Sequence, residues 1–147
     1  GGVWNVIPDD AKLNGTIRTF NQSEREKIHL KIDACLQSVK NFGGDYCLNI
    51  EKGNPSVVNS VGECNIVKSA VTNALGEEFI SDIEIQMGGD DFSYYSSKKP
   101  SCYFYVGAKK DGVSRQHHSG NFDINEQAIN EIERIFVEIV KLKLKTK

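Results

Sequence analysis

The stretch "KGNPSVVNS" (52–60) divides the chain, because Gly53, Asn54, Pro55 and Ser56 in a row favour neither a helix nor a ladder. Proline removes a backbone donor and fixes φ, while glycine carries the largest entropic cost of being ordered. The stretch reads as a linker, and the patterning on its two sides differs.

Upstream, "VWNVI" (3–7) alternates and ends at Pro8, as an edge or terminal strand does. "AKLNGTIRTF" (11–20) alternates more cleanly, with Ala11, Leu13, Gly15, Ile17 and Thr19 on one face and Lys12, Asn14, Thr16 and Arg18 on the other. "NQSEREKIHLKIDACLQSVKNFGG" (21–44) carries helix signals at both ends. Asn21 with Glu24, or Ser23 with Glu26, forms a capping box, and Gly43-Gly44 supplies the stop. Its apolar face comprises Ile28, Ile32, Cys35, Leu36 and Val39. A half-buried strand, "DYCLNIE" (45–51), completes a β-β-α-β layout over residues 1 to about 52.

Downstream the grammar changes. A helix over about 61–75 buries Cys64, Val67, Val71, Ala74 and Leu75 and stops at Gly76. A strand in "FISDIEI" leads to "MGGDDFSYY", a glycine turn feeding a short helix, and "CYFYVG" (102–107) reads as a strand covered on both faces. A loop containing His117 and His118 follows. The last helix starts at Asp123 or Asn125 and packs through Ile129, Ile132, Phe136, Ile139 and Val140. Alternating helix and strand imply an α/β layer. No internal repeat or low-complexity tract is present.

A chain of 147 residues with 39% hydrophobic content supports one core or two small ones. Eighteen basic and twenty acidic residues leave a net charge of -2, which argues against a nucleic-acid or membrane partner. The lysines of "KLKLKTK" suit a helix C-terminus. No apolar run is long enough to span a bilayer and no signal peptide opens the chain. Cys35, Cys47, Cys64 and Cys102 show no Cys-x-x-Cys spacing, so we read them as buried reduced thiols of a cytoplasmic protein. "GGVWNVIP" lacks an initiator Met, which implies a processed chain or a piece of a larger one.

Three constellations carry potential chemistry. His118 sits between a buried strand and a helix start, where the active-site loops of open α/β sheets collect, and a neutral imidazole is a good zinc ligand. Local sequence nonetheless favours an exposed surface pair of histidines. Gly88 and Gly89 let backbone approach a ligand, and Asp90 or Asp91 can cap the helix that follows; an ordinary helix start explains them equally well. Asn5 and Arg18, if on adjacent antiparallel strands, could grip a carboxylate through the planar guanidinium fork, although a strand arginine is commonly just solvated. A catalytic zinc needs about three protein ligands. With three histidines in all, and His29 on a distant helix, a complete metal site within the chain is not expected.

Taken in series, "GGVWNVIPDDAKLNGTIRTF", "GGDDFSYY" and "HHSGNFDINEQAI" resemble the C-terminal half of the metal-dependent amidohydrolases, the family of aminoacylase, hippurate hydrolase and the indole-acetyl-amino-acid hydrolases. The resemblance covers essentially the whole chain. It implies that residues 1–52 are the second half of a β-α-β-β-α-β lid, or dimerisation, domain. Residues 53–147 are then the C-terminal segment of a zinc-peptidase-like α/β catalytic domain. His118 falls on the family's last metal ligand, and His117 on a position that is often apolar. Asn5 and Arg18 match lid residues that bind the substrate's carboxylate or amide end, and Gly88 and Gly89 lie in the glycine-rich loop. Gly120 replaces a common Pro, and Asp90 a frequent Glu.

The intact enzyme so implied is a homodimer that hydrolyses N-acyl amino acids or dipeptides. Two divalent metals, typically zinc, activate its bridging water. The other ligands, the general-base Glu and the oxyanion-binding His all lie upstream, so this chain alone is expected to be inert. A non-catalytic dimerisation or interaction module derived from that family is the alternative.

Overall fold

Helices are the only regular elements among residues 3–145, the part of the chain that the computed structural model describes. They are α1 (Gln22–Gln37), α2 (Val61–Ala74), α3 (Phe92–Ser96) and α4 (Gln127–Lys145), with short 3-10 turns at Ser38–Phe42 and Glu77–Phe79. The chain divides into two units, Gly1–Lys52 and Gly53–Lys147.

In the first unit, α1 begins where Asn21 turns extended and its Oδ1 accepts the Glu24 N–H at 2.8 Å. Of the two caps the sequence allows, Asn21 is the one formed, and the Ser23 hydroxyl supports it by donating to the same Oδ1 at 2.9 Å. The far end tightens into the 3-10 turn and stops at Gly43, whose φ of 80° suits a residue without a Cβ. The Tyr46 hydroxyl donates to Asp33 at 2.7 Å, tying the segment after Gly44 back to α1. That bond, with partial burial, raises the Tyr46 phenol above its ordinary range. Ile28, Ile32, Leu36 and Val39 are half-buried on the expected face, whereas Cys35 is exposed.

The α/β architecture expected from the alternating segments is not what this chain forms. None of 3–7, 11–20, 45–51, 79–85 or 102–107 is a strand, so neither the β-α-β-β-α-β lid half nor the α/β catalytic segment is present as such. Alternation records only which side chains share a face; a strand also needs a second segment to take its N–H and C=O groups. Between 59–60 and 101–103 such a pairing starts and goes no further. The Ser60 N–H donates to the Ser101 carbonyl at 2.9 Å, and Ser60 Oγ accepts the Ser101 N–H at 3.2 Å. The Asn59 side chain then stands in for a neighbouring backbone, accepting the Tyr103 N–H at 2.7 Å and donating to the Tyr103 carbonyl at 2.8 Å.

The second unit is held by α2 against α4. Ala70 (0% exposed), Ala74 (8%) and Ile135 (2%) form its centre, ringed by Val71, Leu75, Phe104, Ile139 and Leu142. Alanines one helical turn apart leave a smooth strip against which α4 lies closely. The Arg134 guanidinium of α4 donates to the Ala74 carbonyl, one of the carbonyls that the last turn of α2 leaves without a helical partner. Lys143 reaches Glu63 at 2.6 Å.

Two expectations about side-chain faces need correction. α4 buries Ala128 and Ile135 and half-buries Ile132, Ile139 and Leu142, while Ile129, Phe136 and Val140 are more than half exposed. Apolar residues cover too wide an arc of α4 for periodicity alone to choose the buried face. The small residues Ala70, Ala74 and Ala128 make that choice. The cysteines are also less buried than expected: Cys35 and Cys47 are exposed, and Cys64 and Cys102 are half-buried. No helix among the described residues is long and apolar enough to cross a membrane.

Candidate functional site

The loop from Ala108 to Asn125 is pinned at its base. The Asn125 N–H donates to the Ala108 carbonyl at 2.9 Å, and the Lys110 ammonium meets the Asp123 carboxylate at 2.5 Å. Asp123 raises the Lys110 ammonium; Lys110 and the Ile124 N–H hold the Asp123 carboxyl below the usual carboxylate range. Arg115 crosses the loop, donating to the Lys110 carbonyl at 3.2 Å.

At its far end the chain reverses through a left-handed residue, His118, with φ of 62°. A non-glycine residue pays about 1 kcal/mol to stand there, and histidine is among the few enriched in that region. The two imidazoles are therefore not equivalent. His117 lies against the Phe122 ring, centroids 5.1 Å apart, and the turn is closed by the Phe122 N–H donating to the Ser119 carbonyl at 3.1 Å. Both imidazoles are exposed, as the reading of a surface pair expects. An open concavity of about 400 Å³ lies beside them, lined by Val113, Ser114, Arg115, Gln116, Ser119 and Asn121.

The glycine turn is built from Asp90. Its Oδ1 accepts the Phe92 N–H at 2.8 Å, which starts α3, and its Oδ2 accepts the Tyr103 hydroxyl at 2.9 Å. These two bonds hold the Asp90 carboxyl below the usual range, and the Asp90 bond raises the Tyr103 phenol. Asp91, the other candidate cap, makes no side-chain capping bond. Gly88 is exposed, and a Cβ built on it would meet nothing within 4 Å. Packing among the described residues therefore does not require glycine at that position.

Sequence reasoning does not single out Tyr103, which reads only as part of an apolar run, or Ser93. Ser93 is fully buried, and its Oγ has no hydrogen-bond partner among the described residues. A Ser inside "DDFSYY" gives no signal of that burial.

Asn5 sits in an exposed turn closed by the Val6 N–H donating to the Val3 carbonyl at 3.3 Å, and Arg18 is an exposed residue of an irregular segment. The strand pairing that was to align them is absent. Among the described residues no three His, Cys, Asp or Glu side chains come close enough together to hold a metal ion. One exposed imidazole is not a metal centre, so the residues present do not fit a complete one.

The model of the peptidase family M20/M25/M40 matches residues 8–142, nearly the whole chain. The chain belongs to this family of metal-dependent amidohydrolases and peptidases. Similar relatives include the amidohydrolase-named YhaA protein of Bacillus subtilis (strain 168), 37% identical over 129 residues, covering 86% of this chain and 33% of that protein. The N-acetylcysteine deacetylase of the same organism is 29% identical over 147 residues, covering 99% and 37%. An IAA-amino acid hydrolase of Arabidopsis thaliana, ILR1-like 6, is 28% identical over 136 residues, covering 88% and 29%. The chain thus spans about a third of the length of these curated relatives. No solved structure matches it.

Proposed function

We propose that this chain is part of a metal-dependent amidohydrolase that cleaves the amide bond of N-acyl amino acids or related small amides and dipeptides. The family match over residues 8–142 carries this reading. Relatives named for N-acetylcysteine deacetylation and for IAA-amino acid hydrolysis support the substrate class. Residues 53–147 belong to the catalytic domain in this reading, and residues 1–52 to the lid, through which the enzyme dimerises.

Within that enzyme His118 is one donor to a divalent-metal site, taken to hold two zinc ions, whose other donors lie on polypeptide beyond these 147 residues. The exposure of the His118 side chain is in keeping with that reading. The described residues alone do not supply the donor set. Asn5 and Arg18 bind the carboxylate or amide end of the substrate, Arg18 offering two parallel N–H donors. Gly88 and Gly89 let backbone approach the substrate, which is in keeping with a Gly88 that packing does not require.

The test is hydrolysis by a polypeptide that spans the full length of the relatives and carries this chain. N-acyl amino acids should be cleaved, and Arg18→Ala should raise KM for substrates with a free carboxylate while leaving kcat nearly unchanged. No turnover of any N-acyl amino acid or dipeptide by that polypeptide overturns the reading. A second reading, a non-catalytic interaction module, draws on the exposed Trp4, Ile7, Leu13 and Phe42 of the first unit. A stable homodimer of the 147-residue chain in light scattering, combined with an inert full-length polypeptide, would favour it.

A further inference from the structure

Cys64 and Cys102 are distant in sequence, yet their sulfurs lie 3.4 Å apart in the second unit, where the Cys64 thiol donates to Cys102 Sγ. Neither is in a disulfide, and both are half-buried. We infer that they form a thiol–disulfide switch, a site that low-molecular-weight disulfides of the glutathione type oxidise to an intramolecular bridge.

The fold brings these sulfurs together from both sides. Cys64 lies in the first turn of α2, where its N–H donates to the Ser60 carbonyl at 3.0 Å. Ser60 in turn is bonded to Ser101, the neighbour of Cys102, through its N–H and its hydroxyl. Asn59 makes two further bonds to Tyr103, on the other side of Cys102. Four hydrogen bonds thus clamp the residues flanking Cys102 to the residues entering α2. A disulfide requires the sulfurs to move from 3.4 Å to about 2.05 Å, a shift within reach of side-chain rotation.

Exchange proceeds in two balanced steps. The Cys64 sulfur, as thiolate, attacks one sulfur of the small disulfide; its S–S bond breaks and one thiolate leaves and takes up the proton that Cys64 released. Cys102 then loses its proton and attacks the Cys64 sulfur of the mixed disulfide, expelling the second small thiol, which takes up that proton. Two protein thiols are oxidised and one small disulfide is reduced to two thiols. Burial, with Cys64 beside it, pushes the Cys102 thiol up to about 12. Cys102 is the thiol placed to resolve the mixed disulfide because its sulfur lies 3.4 Å from that of Cys64. The bridge would draw on the residue next to Tyr103, whose hydroxyl holds Asp90 at the glycine turn.

The test uses the 147-residue chain carrying Cys35→Ser and Cys47→Ser, which removes the two exposed thiols. Incubated with oxidised glutathione, it should lose both remaining thiols, yield a Cys64–Cys102 linked peptide in non-reducing digests, and melt several degrees higher than the reduced form. Adding Cys102→Ser should trap one glutathione on Cys64. Free thiols that persist, two separate glutathione adducts, or a bridge no faster in the native chain than in urea would each overturn the switch.

Discussion

The Tyr103 hydroxyl donates to the Asp90 carboxylate at 2.9 Å, so the residue that starts α3 is held from outside its own turn. Two opposite pH limits follow. Asp90 is depressed, first by the Phe92 N–H and then by Tyr103, so its contribution is present above the ordinary carboxylate range and lost as pH falls through the lowered value. Tyr103 is raised, chiefly by Asp90, so its contribution is present below the ordinary phenol range and lost as pH rises through the raised value. Tyr103→Phe should move the Asp90 titration, followed by carboxyl NMR, upward toward the ordinary range without reaching it, because the Phe92 bond remains. Asp90→Asn should return the Tyr103 phenol toward its ordinary range in an absorbance titration.

The register of α4 gives a second prediction. Ile135 is 2% exposed and Phe136, its neighbour in sequence, is 52% exposed. Ile135→Ala should cost about 2–5 kcal/mol in urea denaturation of the chain, since it opens a cavity against Ala70 and Ala74. Phe136→Ala removes a larger side chain but should cost only about 1 kcal/mol, because roughly half of it already meets water. The opposite order would mean that the buried face is the one read from periodicity.

Helix ends were legible because each has a local cause. Asn21 caps α1, Gly43 stops its 3-10 extension, and Asn125 accepts the Gln127 N–H at 3.1 Å at the entrance to α4. Asp90 was visible as a candidate cap beside Asp91, but not its partner Tyr103, thirteen residues on, since a phenol inside an apolar run advertises only hydrophobicity. The strands failed for a different reason. Alternation in 11–20 and 102–107 is a one-segment property, whereas a ladder is a two-segment property that no single window of sequence contains. The same holds for Cys64 and Cys102, whose proximity depends on Asn59 and Ser60 meeting Ser101 and Tyr103.

The base of the histidine loop should loosen in acid. Asp123 is held low, first by Lys110 and then by the Ile124 N–H, so the ion pair with Lys110 survives until pH falls through that lowered value. Protection of the Asn125 amide, which donates to Ala108, should fall across the same range in hydrogen exchange corrected for intrinsic rates. Lys110→Ala should reduce that protection already at neutral pH. An Asn125 amide equally protected in the variant would assign the loop's closure to the backbone bond alone.

The proposal that His118 is a metal donor is tested most directly by metal analysis of the polypeptide spanning the full length of the relatives, with and without His118→Ala. Our account predicts that the purified variant holds less bound zinc per protomer than the parent and loses most of its amide hydrolysis, while His117→Ala keeps both. A His118→Ala protein with the parent's metal content and turnover would contradict it.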